Sequence, residues 1–376
     1  MKDVFIRRPL RTGLRLALAA GAMALSAAAG ESAPVPPEME VFVRTHGSLG
    51  ESRVASTRSR GMGGAYAALV DGAGSVQENP AALGAFCGKS VGGGLAFESV
   101  EDANDTTKIT TINIGGAFSL NPYLDADAPN QSVGVAYKTS SYDNLGGASR
   151  SGKFDDSGIT FAYGRTFGPN ILAGASVSIV NDEYAWKAWK TMPYEAREYE
   201  VTGGEFLLGG LYRASDVVTI GGVASYATGR ARERVRYQQE DDFALETGDF
   251  RRWRLRGGAS WQAAEQTLVT GDLEYAATQM EFDPGGSADV RRSKSKSAAI
   301  MAGVEQELLP ESLVLRGGIY GKQEKFSAGD ASYDKLSYWG FNAGVGARVK
   351  SVDLNYTLDV RTTGDIGHFF GMQYDW

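Results

Sequence analysis

Cysteine occurs once in this 376-residue chain, at Cys87, and histidine twice, at His46 and His368. A single thiol closes no internal disulfide, so no cross-linked framework holds the fold. Two histidines far apart, with no cysteine partner, give no support to a His/Cys metal site. They also offer little to a Ser–His hydrolase. Beyond Ala29 there is no long apolar run, and the mean hydropathy is −0.24, which excludes a helical membrane protein. Basic excess is lacking too. The formal charge is −7, and residues 1–29 hold five basic and one acidic residue, so the remainder carries −11. That balance argues against nucleic acid as a partner.

What is abundant is glycine, at 49 residues, well above ordinary usage. The first 29 residues have the layout of a secretory signal peptide. Lys2, Arg7, Arg8, Arg11 and Arg15 accompany an apolar stretch that closes on Ala27-Ala28-Ala29, the expected cleavage site. From about residue 89 the chain alternates apolar and polar positions. In "VDLNYTLDVR", Val352, Leu354, Tyr356, Leu358 and Val360 share one face, and Asp353, Asn355, Thr357, Asp359 and Arg361 the other. In "RWRLRGGASW", Trp253, Leu255, Gly257, Ala259 and Trp261 oppose Arg252, Arg254, Arg256 and Ser260. Period two with charge on one face describes strands with one greasy and one wet side.

Fourteen such runs can be counted, at 89–99, 108–119, 131–140, 157–167, 170–181, 198–212, 216–227, 249–262, 266–279, 295–307, 312–321, 335–349, 350–361 and 366–376. Short connections ("FGPN", "RASD", "QAAEQ", "ELLPES", "VKS") alternate with long polar ones through most of the chain. An even number of long strands with that alternation predicts an all-β, 14-stranded antiparallel transmembrane barrel over residues 89–376. A soluble β-sandwich also alternates, but it does not explain so many long strands with one consistently charged face. The final stretch sets Phe370, Met372, Tyr374 and Trp376 on one side. Phe370, Tyr374 and Trp376 resemble the C-terminal signal by which the barrel-assembly machinery recognises outer-membrane proteins.

Residues 30–88 precede the barrel pattern and are loop-like. "RGMGGAYAALVDGAGSVQENPAALG" resembles the N-terminal hatch of the long-chain fatty-acid transporter (FadL) family and of the related PorV/PorQ-type barrels. The match falls on Gly61, Met62, Gly63, Gly64, Ala65 and Tyr66, then Asn79, Pro80 and Ala81. The family's acidic and aromatic positions before N-P-A are here Gly72 and Gln77. The resemblance implies a fourteen-stranded barrel in the outer membrane of a Gram-negative-type bacterium, with an N-terminal hatch in the lumen. It also implies a channel for hydrophobic or amphipathic, fatty-acid-like molecules, bedded in outer-membrane lipid, with no catalytic residue and no cofactor. The alternative it leaves open is a PorV-like accessory barrel that hands a secreted protein to its partners.

Two further groups bear on function. Arg252, Arg254, Arg256, Arg316 and Arg348 fall on the lumen face, within reach of Asp272, Glu274, Asp353 and Asp359. They read either as a salt-bridged network that pins the hatch or as a basic ladder for a carboxylate headgroup, which arginine grips bidentately. Tyr184, Trp186, Trp189 and Tyr194 fall in an expected outer loop, either as an apolar capture site or as interfacial anchors. "GASRSGKF" (Gly147 to Phe154) has phosphate-loop spacing but puts Phe154 where Ser or Thr is required, and is expected to be an outer loop.

Overall fold

The computed structural model describes residues 56–102, 105–121, 129–144, 150–188, 195–237, 244–283, 291–310, 312–328 and 331–376. The expected signal peptide and residues 30–55 lie outside the described residues. Fourteen antiparallel strands close on themselves. They are β1 (Lys89–Asp102), β2 (Asp105–Ser119), β3 (Gln131–Asn144), β4 (Arg150–Phe167), β5 (Ile171–Ala188), β6 (Glu195–Arg213) and β7 (Val218–Tyr237). The ring continues with β8 (Ala244–Ala264), β9 (Thr267–Asp283), β10 (Arg291–Leu309), β11 (Leu313–Ala328), β12 (Ala331–Val349), β13 (Val352–Arg361) and β14 (Ile366–Asp375). Each strand pairs with its sequence neighbours, and β1 closes on β14 from Ser90–Asp375 to Ser99–Ile366. The seam is completed by reciprocal backbone bonds between Lys89 and Trp376, each 3.0 Å. A closed ladder leaves no edge strand, which is the condition for placing strands in lipid.

The faces sort as the sequence period demands. Leu255, Leu273, Phe161, Ile179, Leu208, Ile300 and their neighbours point outward and are exposed, while Arg252, Arg254, Arg256, Asp272 and Asp359 point inward and are buried. Trp253 and Trp261 both face out. On β14, Phe370, Met372 and Tyr374 also face out, and Trp376, just past its end, is exposed with them. Phe370 packs on Tyr356 at 5.1 Å, and Tyr374 stacks on Trp376 at 5.0 Å. An outward apolar belt around a polar interior is the signature of a transmembrane barrel.

The short-turn ends of the strands fall within two residues of the expected ones, but on β1 to β12 the opposite ends run longer. For β7 the expected end is 227 and the observed end Tyr237, and β4 begins at Arg150 where 157 is expected. Past the apolar belt the sequence becomes charge-rich and the hydropathy alternation stops while the backbone ladder continues. There the pairs are of the kind Arg232–Glu200, 3.8 Å apart and exposed, which contribute little stability. The long polar segments are thus largely strand. Tyr184 and Trp186 stand on β5 rather than in a loop, and Arg150 to Phe154 of the phosphate-loop lookalike belong to β4, paired with Ala188 to Tyr184. Trp189, Tyr194 and residues 145–149 lie outside the described residues.

Candidate functional site

The segment Ser56–Gly88 folds against inward-facing wall residues at the short-turn half of the barrel. It begins with one helical turn, α1 (Thr57–Gly61), capped by the Ser56 hydroxyl, which accepts the Arg58 and Ser59 amides at 3.1 and 3.2 Å. Gly63 and Gly64 follow at φ 72° and 81°, in the left-handed region that L side chains avoid. A Cβ on Gly63 would also lie 2.7 Å from the backbone oxygens of both Ala302 and Ile319. Two 3-10 turns come next, Gly72–Val76 and Pro80–Ala85. Asn79 caps the second, with Pro80 at its first position. The Asn79 side chain joins two parts of the segment. Its Oδ1 accepts the Ala81 amide at 3.1 Å, and its Nδ2 donates to the Ala67 carbonyl at 2.6 Å. Glu78 accepts the Ser56 amide at 3.0 Å and the Ser59 hydroxyl. Burial, reinforced by the charge of Asp71, pushes the Glu78 carboxyl up to about 8.

On the β3–β7 side and on β10–β11 the wall meets this segment with glycine. A methyl group on Gly164 or Gly174 would overlap the Pro80 carbonyl, one on Gly209 the Asn79 amide, and one on Gly221 the Ala67 carbonyl. Gly303 and Gly318 lie equally close to the backbone of Met62 and Gly63. The inner segment therefore approaches the wall backbone to backbone. Small apolar clusters fill the remaining space: Ala68, Ala81 and Ala82 with Leu172 and Leu211, Val76 and Leu83 with Ala117, Ala136 and Ala162, and Tyr66 with Leu207 and Val223. These apolar clusters of the described residues lie inside the lumen.

The β8–β13 side is charged. Asp272 accepts the Tyr66 and Ala67 amides at 2.8 and 2.9 Å. Arg256 pairs with Glu274 at 2.8 Å, donates to the Gly64 carbonyl at 2.8 Å and lies 3.9 Å over the Tyr66 ring. Glu305 takes both Arg58 and Arg316, at 2.7 and 2.6 Å. Arg252 pairs with Glu205 at 3.2 Å, both almost fully buried. Arg60, 3.9 Å from Asp359, lies 4.5 Å over the Phe369 ring. Of the expected ladder, Arg252, Arg254, Arg256, Asp272 and Glu274 come together on β8 and β9, and Arg316 joins through Glu305. Arg348 does not: it bonds Asp353 at 2.6 Å at the exposed short-turn mouth, next to the β12–β13 turn. Asp359 meets Arg60 and Arg361 rather than a ladder arginine.

Two cavities lie on either side of this segment. The one toward the short turns, about 360 Å³, is lined by Arg58, Asp71, Glu305, Arg316, Asn355 and Gln373 among others. The one toward the long strands is about 90 Å³. Arg252, Arg254, Arg256 and Lys322 line it together with Tyr66, Tyr320, Tyr338 and Met301. Among the buried polar atoms at this second cavity that have no protein hydrogen-bond partner among the described residues are Nε and Nη2 of Arg254, the Tyr66 hydroxyl and Nε of Arg60. Arg254 is only 2% exposed. A buried arginine with free N–H groups costs free energy unless an acceptor is supplied.

Sequence reasoning passes over Glu205, Glu305, Arg58 and Arg60, and over the wall glycines. Inward position by strand parity would flag Glu205 and Glu305, but no local pattern says which arginine each meets. It also passes over Gly88-Lys89-Ser90-Val91-Gly92, which has the G-x-S-x-G spacing of a hydrolase elbow. Strand β1 runs through that stretch from Lys89, Ser90 pairs with Asp375 and Ala117, and the strand–turn–helix context is missing.

No protein-family model matches the sequence, and no curated protein matches it. Solved structures do. The toluene transporter TbuX of Ralstonia pickettii aligns with a TM-score of 0.62 at 14% identity, over 86% of this chain and 99% of that one. The toluene transporter TodX of Pseudomonas putida aligns at 0.56 and 13%, over 84% and 96%. A FadL homologue of Pseudomonas aeruginosa aligns at 0.62 and 10%, over 86% and 98%. At these identities the likeness is one of fold: the chain shares the closed fourteen-stranded barrel of these structures.

Proposed function

We propose that this protein is an outer-membrane channel for hydrophobic compounds, that its cargo is amphipathic with an acid headgroup, and that the segment 56–88 is the hatch that gates it. The observation that carries the reading is the cavity over the hatch, where Arg254, the Tyr66 hydroxyl and Arg60 bring unpartnered donors to one space beside Tyr320, Tyr338 and Met301. A carboxylate supplies the acceptors those donors lack, and arginine matches its geometry. An alkyl or aromatic body is suited by the ring and thioether surfaces. The fold likeness to toluene transporters and to a FadL homologue supports the channel half of this reading. It also supports placement in the outer membrane of a Gram-negative-type bacterium, with lipid around the apolar belt and the assembly machinery acting on β14.

The test is uptake by liposomes carrying the purified protein, with a labelled long-chain fatty acid and toluene compared side by side. Arg254→Met keeps the bulk and removes the charge. It is expected to lower fatty-acid uptake and leave toluene entry unchanged. Uptake of neither compound above empty liposomes defeats the channel reading. Undiminished fatty-acid uptake by Arg254→Met defeats the headgroup reading alone.

A further inference from the structure

The hatch is not sealed equally all round. On β4–β7 and β10–β11 the inward glycines are occupied by hatch backbone. On β1 and β2 they are not: the atoms nearest a Cβ at Gly92, Gly94 or Gly115 belong to β2, β3 and β14, and on neighbouring β14 it is the Thr57 side chain, not hatch backbone, that meets Gly371. On this flank lies a third, small cavity of about 20 Å³, lined by Ser56, Thr57, Arg60, Ala96, Asn113 and Phe369 among others. It shares Arg60 with the cavity over the hatch, and Ser56, Thr57 and Asn113 with the cavity beneath it. The three spaces thus form one interrupted line from the long-strand side to the short-turn side, narrowest in the middle, where there is room for about one water molecule.

Arg60 stands at the narrowing. Its guanidinium lies 4.5 Å over the Phe369 ring, its Nε has no protein partner, and its ion pair to Asp359 is long at 3.9 Å. Asp359 has other partners: Tyr320 donates to it at 3.1 Å and Arg361 lies 3.7 Å away. The side chain can therefore move without stranding the carboxylate. The hatch contacts elsewhere are short and many, as with Asp272, Glu305 and the overlapped glycines.

We infer that the path past the hatch runs along the barrel seam, between α1 and strands β14, β1 and β2, and that Arg60 stacked on Phe369 is its gate. This deepens the channel reading and rests on it: cargo held at Arg254 passes Arg60 before reaching the lower cavity. Arg60 then serves as the second cation met by an acid headgroup, and its release from Phe369 opens the step.

The test measures ion conductance in planar bilayers, which needs no cargo, beside fatty-acid uptake in liposomes. Arg60→Ala removes the gate and is expected to raise conductance several-fold. Ala96→Phe fills the narrowing from β1 and is expected to lower both conductance and uptake. Heat-modifiable migration on gels checks that each variant has assembled. Unchanged conductance in both variants overturns the route, and wild-type uptake then shows whether the channel reading survives it. A rise with Arg60→Ala but no fall with Ala96→Phe puts the leak elsewhere and also overturns it. Where Arg60→Ala fails to assemble, Ala96→Phe decides alone. Conductance behaving as expected while fatty acid never enters keeps the route for water and ions and defeats the cargo reading.

Discussion

Replacing Asn79 with alanine is expected to loosen the hatch and spare the barrel. Asn79 is 1% exposed and makes two bonds, both within the hatch. Losing its Oδ1 removes the cap of the 3-10 turn at Pro80, worth about 1 kcal/mol. Losing its Nδ2 leaves the buried Ala67 carbonyl without that donor, a cost of about 1–3 kcal/mol. Together these come to about 2–4 kcal/mol, or roughly a 30- to 700-fold rise in the unseated population at tenfold per 1.4 kcal/mol. None of that energy belongs to the strand ladder, so heat-modifiable migration should be unchanged. Amide hydrogen exchange over residues 57–86 should accelerate while the β4–β9 ladder stays protected. Asn79→Asp separates the two bonds. Aspartate caps as well as asparagine, but it sets an oxygen against the Ala67 carbonyl. It should therefore exchange at least as fast as the alanine variant. Wild-type exchange in Asn79→Asp would refute the assignment of the Ala67 bond, and loss of barrel migration in either variant would refute the separation of hatch from wall.

Gly221→Ala should unseat the hatch, because the new methyl overlaps the Ala67 carbonyl; Gly210→Ala, one residue type and one strand away, has nothing within 4 Å of the added carbon and should be silent. Limited proteolysis of the hatch in the two variants compares them, and equal cleavage counts against the seat. For Glu78, burial and Asp71 raise the hatch-bound carboxyl to about 8, so the seated hatch binds more protons than the free one and loses stability as pH rises from the ordinary carboxylate range to about 8. Hatch exchange, corrected for its intrinsic pH dependence, should therefore show less protection at pH 9 than at pH 5. Glu78→Gln, which keeps an acceptor for Ser56 and Ser59, should flatten that trend. Deleting Trp376 removes the stacking on Tyr374 and the seam bonds to Lys89, and should reduce the amount of protein reaching the outer membrane; undiminished levels would count against the role given to the last aromatic.

The barrel was legible because lipid and lumen impose opposite demands on alternate residues. In β13 the two faces of "VDLNYTLDVR" separate without exception, and in β8 Arg252, Arg254 and Arg256 separate from Trp253 and Trp261 in the same way. Legibility fails where the demand disappears. Arg230 to Tyr237 continue β7 as a charge-rich run, and nothing in their hydropathy marks them as strand. Tyr184 and Trp186 look like loop aromatics for the same reason.

The hatch seat failed to show for a different reason. A glycine such as Gly164 or Gly303 looks in sequence like a weak point of a strand, and its use becomes visible only when a second backbone is placed against it. In sequence only the hatch glycines announce a use, and Gly63 and Gly64 do need left-handed φ. The structure divides the need between both partners. The hatch uses glycine to turn, and the wall uses it to be approached. This complementarity bears on specificity. A hatch held by backbone contact on β4–β7 and β10–β11 cannot shift there by small steps, because each step meets another main chain. Its freedom is confined to the flank where side chains intervene, at Arg60, Phe369 and Thr57. On the proposed channel reading, cargo selection and opening then fall on the same few residues, so changing that flank while leaving the glycine seat untouched would alter what the barrel admits.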